Sequence, residues 1–177
     1  SNNLQYSISR IEAPAYNRLV VPRGGEYRLT LSEGTVVWLN SESELYYPTM
    51  FTGTSRRVEL KGEAFFKVVS DTEKPFIVNA MDYHVEVLGT EFNISAYPDE
   101  IEKVTTLIKG KVKVAIDHFD TDDVLLPGMQ LTYNEETKTK TTDVVNPELY
   151  NAWRHGHFEF QNTSFGQFIK VVSRWYD

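Results

Sequence analysis

Four histidines and a surplus of carboxylates are the groups in this sequence that could bind a metal or move a proton. His155-Gly156-His157 places two imidazoles on one face if the segment is a strand. A zinc site needs three or four ligands. His84 and His118 lie far off in sequence and no glutamate sits at a helpful spacing, so the pair reads as surface histidines in a turn. Asp117, Asp120, Asp122 and Asp123 form an acidic loop that could attract calcium. The order D-x-[DN]-x-[DN]-G of a calcium loop is missing, and a solvated turn is expected. Glu59 and Glu63 flank a glycine turn; glycoside hydrolysis needs two acids about 5–10 Å apart across a cleft, and an acidic β protein offers such pairs by chance. There is no G-x-S-x-G and no Ser-His-Asp set. The absence of cysteine excludes disulfides, thiolate metal sites and thiol nucleophiles. No metal, no cofactor and no enzymatic activity are expected. Asn93-Ile94-Ser95 and Asn162-Thr163-Ser164 match glycosylation sequons, which matter only in a eukaryotic secretory setting.

The elements that would carry these groups are strands. Gly34, Gly62, Gly89, Gly110 and Gly128 each open a short stretch rich in Val, Phe, Tyr, Trp and Thr, residues suited to a pleated, half-buried surface. Glycine in that setting marks turns, bulges and corners. The spacing between these glycines shrinks along the chain, so there is no strict repeat. The expectation is a mainly β fold, an irregular β-solenoid-like or jelly-roll-like stack of short strands.

Residues 1–18 read as an irregular lead-in, and alternation starts at Arg18. Tyr27, Leu29 and Leu31 share a face that Val37 and Leu39 continue beyond the turn Ser32-Glu33-Gly34, while Val36 and Trp38 make the other face apolar too. Arg56 to Leu60 alternates cleanly, as do Ala64, Phe66 and Val68. Val85 and Val87 have one parity, and Phe92, Ile94 and Ala96 the opposite. The register must therefore shift at Leu88-Gly89-Thr90. Val112, Val114 and Ile116 point inward with lysines outward, Met129 to Tyr133 is a further strand, and Asn134 to Lys140 is a charged hairpin loop. Most of Tyr46, Tyr47, Phe51, Phe65, Phe66, Trp153 and Trp175 are expected in the core.

The character changes after Asn146-Pro147. Phe158 and Phe160 suggest a brief strand, and Ser164 with Gln167 fits a capping box. Phe165, Phe168, Ile169, Val172, Trp175 and Tyr176 then recur at helical spacing. One strand and one helix cannot bury that stripe. The expected division is an all-β domain over residues 16–145 and the beginning of a truncated C-terminal α+β domain over 146–177, or else a helix docked on the β body.

A net charge of −7 disfavours nucleic acid and anionic membrane surfaces as partners. No apolar run approaches the roughly 20 residues of a transmembrane helix.

Several ordered pieces resemble the periplasmic domain of FecR-type anti-sigma regulators of the Bacteroidetes kind. They are Leu29 to Asn40, Tyr47-Pro48, Arg57 to Val68, Pro75 to Val78, Val87 to Asn93, Thr106-Leu107 with Gly110, and Pro127-Gly128. Trp153, Phe158 and Ser173 to Asp177 resemble the start of the small domain that follows in such proteins. Ser32-Glu33-Gly34 departs from the usual Pro-Asp-Gly, though both make turns. The resemblance implies a protein anchored in the inner membrane by a helix, with its sensing part in the periplasm. Its implied partners are the signalling domain of a TonB-dependent outer-membrane transporter and, through a cytoplasmic segment, an extracytoplasmic-function sigma factor. The membrane helix and that segment are expected to lie outside this sequence. Some relatives cleave themselves at a Gly-Thr bond matching Gly89-Thr90; the plainer reading makes Gly89 a bulge and Thr90 a strand residue. Partner contact is expected around Phe158, Phe160, Phe165, Phe168, Trp175 and Tyr176. The rival reading is a carbohydrate-binding β module of a polysaccharide-utilisation system, which needs a planar exposed row of Trp and Tyr.

Overall fold

The computed structural model describes residues 15–157 and 165–176. The first strands are β1 (Tyr16–Val20), β2 (Tyr27–Thr30), β3 (Val36–Leu39), β4 (Glu44–Pro48), β5 (Arg56–Lys67), β6 (Phe76–Ala80) and β7 (Tyr83–Val87). They continue with β8 (Glu91–Ala96), β9 (Glu102–Lys109), β10 (Val112–Ile116), β11 (Asp123–Leu125), β12 (Met129–Asn134) and β13 (Thr139–Val144). Two 3₁₀ turns, Pro147–Tyr150 and Ala152–His155, and the helix α1 (Phe165–Trp175) complete the described chain. The fold is mainly β, as expected. The strand expected at Phe158 and Phe160, and Ser164 of the capping box, lie outside the described residues.

The long strand β5 organises everything else. Its first half pairs antiparallel with β4 and parallel with β6; its second half, from Gly62, pairs antiparallel with β3 and β8. One layer therefore runs β1-β4-β5-β6-β7-β10-β11 and the other β2-β3-β5-β8-β9-β12-β13, with β5 common to both. Among the described strands only β5 and β6 run parallel, so the stack is jelly-roll-like rather than solenoid-like. Gly62 makes the bend. Its φ is +98°, and a Cβ there would lie 2.4 Å from Ser43 Oγ, so only glycine fits.

The inner faces meet in a single apolar cluster, in which Val58, Leu60, Val78 and Val85 of one layer face Val37, Phe92, Ile94 and Leu131 of the other. Phe66 stacks on Phe92 at 5.2 Å and tilts against Phe76 at 5.9 Å. Tyr83 stacks with Tyr133 across the layers and donates its hydroxyl to Thr105 Oγ1 at 2.8 Å. Each such buried aromatic contributes about 1.5–3 kcal/mol. Val112, Val114 and Ile116 point inward as read from the sequence.

The parity flip between Val87 and Phe92 is the chain crossing between layers. β7 belongs to one and β8 to the other, and the β8–β9 register also shifts at Glu91/Phe92. Three strands were not legible in the sequence; one, β11, begins at Asp123 of the expected acidic loop. β1 occupies part of the expected lead-in, and β13 follows the charged hairpin. Both are edge strands; β13 is exposed along most of its length and β1 turns only Leu19 onto the core, so neither carries an apolar alternation.

Two buried cations fasten loops to the layers. Arg56 shares its face with Val58 and Leu60 and is only 2 % exposed; its Nε donates to Lys74 O and its Nη1 to Val69 O. Lys103 is held between Asp82 and Glu135. Burial opposes its charge, but the two carboxylates outweigh burial and hold it above the usual lysine range.

Candidate functional site

Three polar residues that lie in or beside apolar runs are brought together by the fold. Asn40 follows β3, Glu63 sits one residue past the bend of β5, and Asn93 lies in β8. Asn40 Nδ2 donates to Glu63 Oε2 at 2.7 Å, and Asn93 Nδ2 donates to Glu63 Oε1 at 2.8 Å. Ser43 Oγ accepts from the Glu63 backbone N–H. Glu63 is half-buried as a residue, but its carboxyl is turned inward onto the two asparagines. Burial pushes that carboxyl up, against the two amide donors, Asn93 first and then Asn40.

Onto this cluster the C-terminal segment is laid. Asn146 caps the first 3₁₀ turn and Pro147 starts it, so the chain turns over the outer face of the β3–β5–β8 layer. Trp153, 5 % exposed, donates its indole N–H to Asn93 Oδ1 at 3.3 Å. The Arg154 guanidinium lies 3.5 Å from the Phe65 ring centroid and 4.9 Å from that of Trp38. This explains why both faces of β3 read as apolar: one packs in the core, the other beneath arginine.

The helix α1 docks near its end, chiefly through Arg174. Arg174 is 5 % exposed. Its Nη1 meets Glu100 Oε1 at 2.6 Å, its Nη2 meets both Asp99 oxygens at 2.8 and 2.9 Å, and its guanidinium lies 3.7 Å over the Tyr97 ring. Burial opposes the charge, but Glu100 and its neighbours outweigh burial and hold it raised. Gly24 N–H donates to Arg174 O, and Lys170 Nζ donates to Asp99 O. Tyr97 in turn donates its hydroxyl to Ser41 O, next to Asn40.

Lys170 and Arg174 are one turn apart, so the docked side of α1 is its polar side. Part of the apolar stripe is exposed on the other side, while Val172 is half-buried. Phe165 is 78 %, Ile169 47 % and Tyr176 64 % exposed. Phe168 stacks on Phe165 at 6.3 Å, and Trp175 is half-buried. Of the residues expected to contact a partner, Phe165, Phe168, Trp175 and Tyr176 thus belong to one helix and its end, while Phe158 and Phe160 lie outside the described residues.

Gly89 and Thr90 form the corner between layers. A Cβ on Gly89 would lie 2.6 Å from Ser70 Cα. Thr90 is 3 % exposed and donates its hydroxyl to Lys111 O at 3.0 Å, while its own carbonyl accepts from Val68 N–H. Attack by this hydroxyl on the Gly89 carbonyl needs a base to take its proton. Among the described residues no carboxylate, imidazole or amine hydrogen-bonds Thr90 Oγ1.

The histidines are dispersed. His155 and His157 are exposed around a 3₁₀ turn that ends at Gly156, so they do not lie on a strand. His84 bridges Asn79 and Asp117, and His118 lies against Asp82. Asp122 and Asp123 are paired with Lys113 and Lys140. Among the described residues no three His, Asp or Glu side chains converge as metal ligands. The glutamates Glu59 and Glu63 fall on different halves of β5. Trp38 and Trp175 are half-buried and Trp153 is buried, and the exposed Tyr16 and Tyr46 stack on each other. Among the described residues no helix is long and apolar enough to cross a membrane.

Residues 17–113 match the sequence pattern of the FecR protein family. Two crystal structures, each of a putative anti-sigma factor from Parabacteroides distasonis ATCC 8503, superpose on the chain. One, at 1.65 Å, has 34 % identity and a TM-score of 0.87, with 90 % of this chain and 74 % of that chain covered. The other, at 2.50 Å, has 34 % identity and a TM-score of 0.88, with 92 % and 75 % covered. No curated protein is similar in sequence.

Proposed function

The chain belongs to the FecR protein family, and from that premise we propose that it is the periplasmic sensing part of an anti-sigma regulator anchored in the inner membrane. Family membership supports a regulatory rather than an enzymatic role, that of a sigma-regulating sensor. The finer reading is that it engages the signalling domain of a TonB-dependent outer-membrane transporter. The signal then passes across the inner membrane to an extracytoplasmic-function sigma factor, through a cytoplasmic segment of the same regulator. The observation that carries the docking part is the arrangement of α1, fastened by its polar side with Phe165, Ile169 and Tyr176 facing outward. An exposed apolar stripe of this kind marks an interaction surface. It is the surface on which the transporter signalling domain would dock, on the side of α1 away from the β body.

The test is titration of the chain, alone and joined to a following domain, with isolated transporter signalling domains. Ile169→Asp is expected to weaken binding about tenfold or more, as a central apolar contact does, while leaving the unfolding midpoint unchanged. Failure of both forms to bind any such domain would defeat the reading.

A further inference from the structure

Among the described residues the outer edge of β1 is an open backbone template. Among the described residues no strand pairs beyond it. The ladder with β4 is antiparallel, with Tyr16 opposite Pro48 and Val20 opposite Glu44. Thr49 N–H donates to Ala15 O at one end, and Val21 N–H donates to Ser43 O at the other. Antiparallel ladders alternate, so Asn17 and Leu19 also direct their N–H and C=O groups to β4. Tyr16, Arg18 and Val20 consequently turn theirs outward, away from the sheet.

Natural edges are usually blunted by shortness, proline, bulges or unpaired charge. The other edges follow that rule. β11 has three residues, and Lys140 of β13 reaches across to Asp123 of β11 at 2.5 Å and to Thr121 O at 3.2 Å, tying those two edges together. β2 has four residues and ends in the turn that closes from Leu31 to Gly34. β1 has five residues in unbroken register and contains neither proline nor bulge. Its one charge, Arg18, is already engaged by Glu44 through contacts of 2.6 and 2.7 Å.

The side chains beside this edge define what would sit there. The Tyr16 ring is stacked on Tyr46 at 4.8 Å and 9°, yet remains 53 % exposed. An aromatic residue opposite Tyr16 would extend the stack. Arg18 is 62 % exposed at its side chain and gives Nε and Nη2 to Glu44, so its Nη1 can meet an acidic residue opposite it. Val20, 54 % exposed, favours a β-branched residue. The geometry points to β1 as the docking edge for an extended segment of a partner protein. That segment adds antiparallel and reads β-branched, any residue, acidic, any residue, aromatic. The surface is separate from α1 and does not depend on the sigma-regulating reading.

The probe is a capped peptide, Thr-Val-Thr-Glu-Thr-Tyr-Thr, added to the isotope-labelled 177-residue chain. Saturable shifts should centre on Tyr16, Arg18 and Val20, and their amide exchange should slow about tenfold or more while the exchange of Asn17 and Leu19 is unchanged. Replacing the peptide's Glu by Lys should weaken binding up to about fivefold. Val20→Pro removes one outward N–H and none of those given to β4, so it should abolish binding with the fold intact. If that variant does not fold, Arg18→Glu gives a second reading, because it should reverse the preference towards the Lys peptide. The proposal is overturned if Tyr16, Arg18 and Val20 are as protected as Asn17 and Leu19 in the chain alone, since the edge is then already filled. It is overturned equally if the peptide does not bind at millimolar concentration, or binds the folded Val20→Pro variant unchanged.

Discussion

The Arg174 guanidinium lies 3.7 Å over the Tyr97 ring centroid, at the point where Tyr97 reaches back to Ser41. The charged end of the same side chain is satisfied by Asp99 and Glu100.

A planar fork is required to meet two carboxylates and a ring at once, and lysine cannot provide it. Arg174→Lys and Arg174→Ala should therefore both release α1, lowering the protection of its amides by about 1–3 kcal/mol. Hydrogen exchange at residues 168–176, compared with Val85 and Val114 in the core, reads this directly. Equal protection in the lysine variant would show that the charge alone suffices.

The buried carboxyl of Glu63 makes stability depend on pH. Its folded value is raised, so the folded chain holds that proton more tightly than the unfolded chain. Stability from this group is full below the ordinary glutamate range and is lost as pH rises through the folded value. Relative to Glu63→Gln, the natural chain should thus lose stability as pH increases above about 4.3. Urea unfolding of both chains across pH gives the difference; one that is flat, or that rises with pH, contradicts the assignment.

Gly62→Ala forces a Cβ to within 2.4 Å of Ser43 Oγ at a φ of +98°. Overpacking and backbone strain together should destabilise the chain by about 3 kcal/mol. Denaturant unfolding should show an earlier midpoint for this variant than for Gly53→Ala, where a Cβ meets nothing within 4 Å.

At the corner between layers, the Thr90 hydroxyl is committed to a backbone carbonyl. Prolonged incubation at neutral pH should leave the chain at its full mass, with no new termini at Gly89 and Thr90. Thr90→Val should cost about 1 kcal/mol by removing the bond to Lys111. Detection of the two fragments by mass spectrometry would show that a proton acceptor reaches this hydroxyl.

The strands with one buried face were legible because a period of two needs only the sequence to be visible; Val112, Val114 and Ile116 are the plain case. The stripe on α1 was legible for the same reason at a period of 3.6. The polar cluster was not. Asn40, Glu63 and Asn93 are distant in sequence, and a polar residue in an apolar run marks burial with a partner without naming the partner. The signal was there in Arg56, which keeps the parity of Val58 and Leu60 and is buried with them. Nor does a stripe reveal which way its helix will face. That was decided by Arg174, whose partners are some seventy residues earlier.

One strand serving both layers has a mechanical consequence. Any load on either wall of the sandwich is borne by the same stretch from Arg56 to Lys67. The walls cannot slide past one another or melt separately, so the body should yield all at once or not at all. Local motion is then expected at its attachments, such as α1 with its contacts through Lys170 and Arg174, rather than between the two layers.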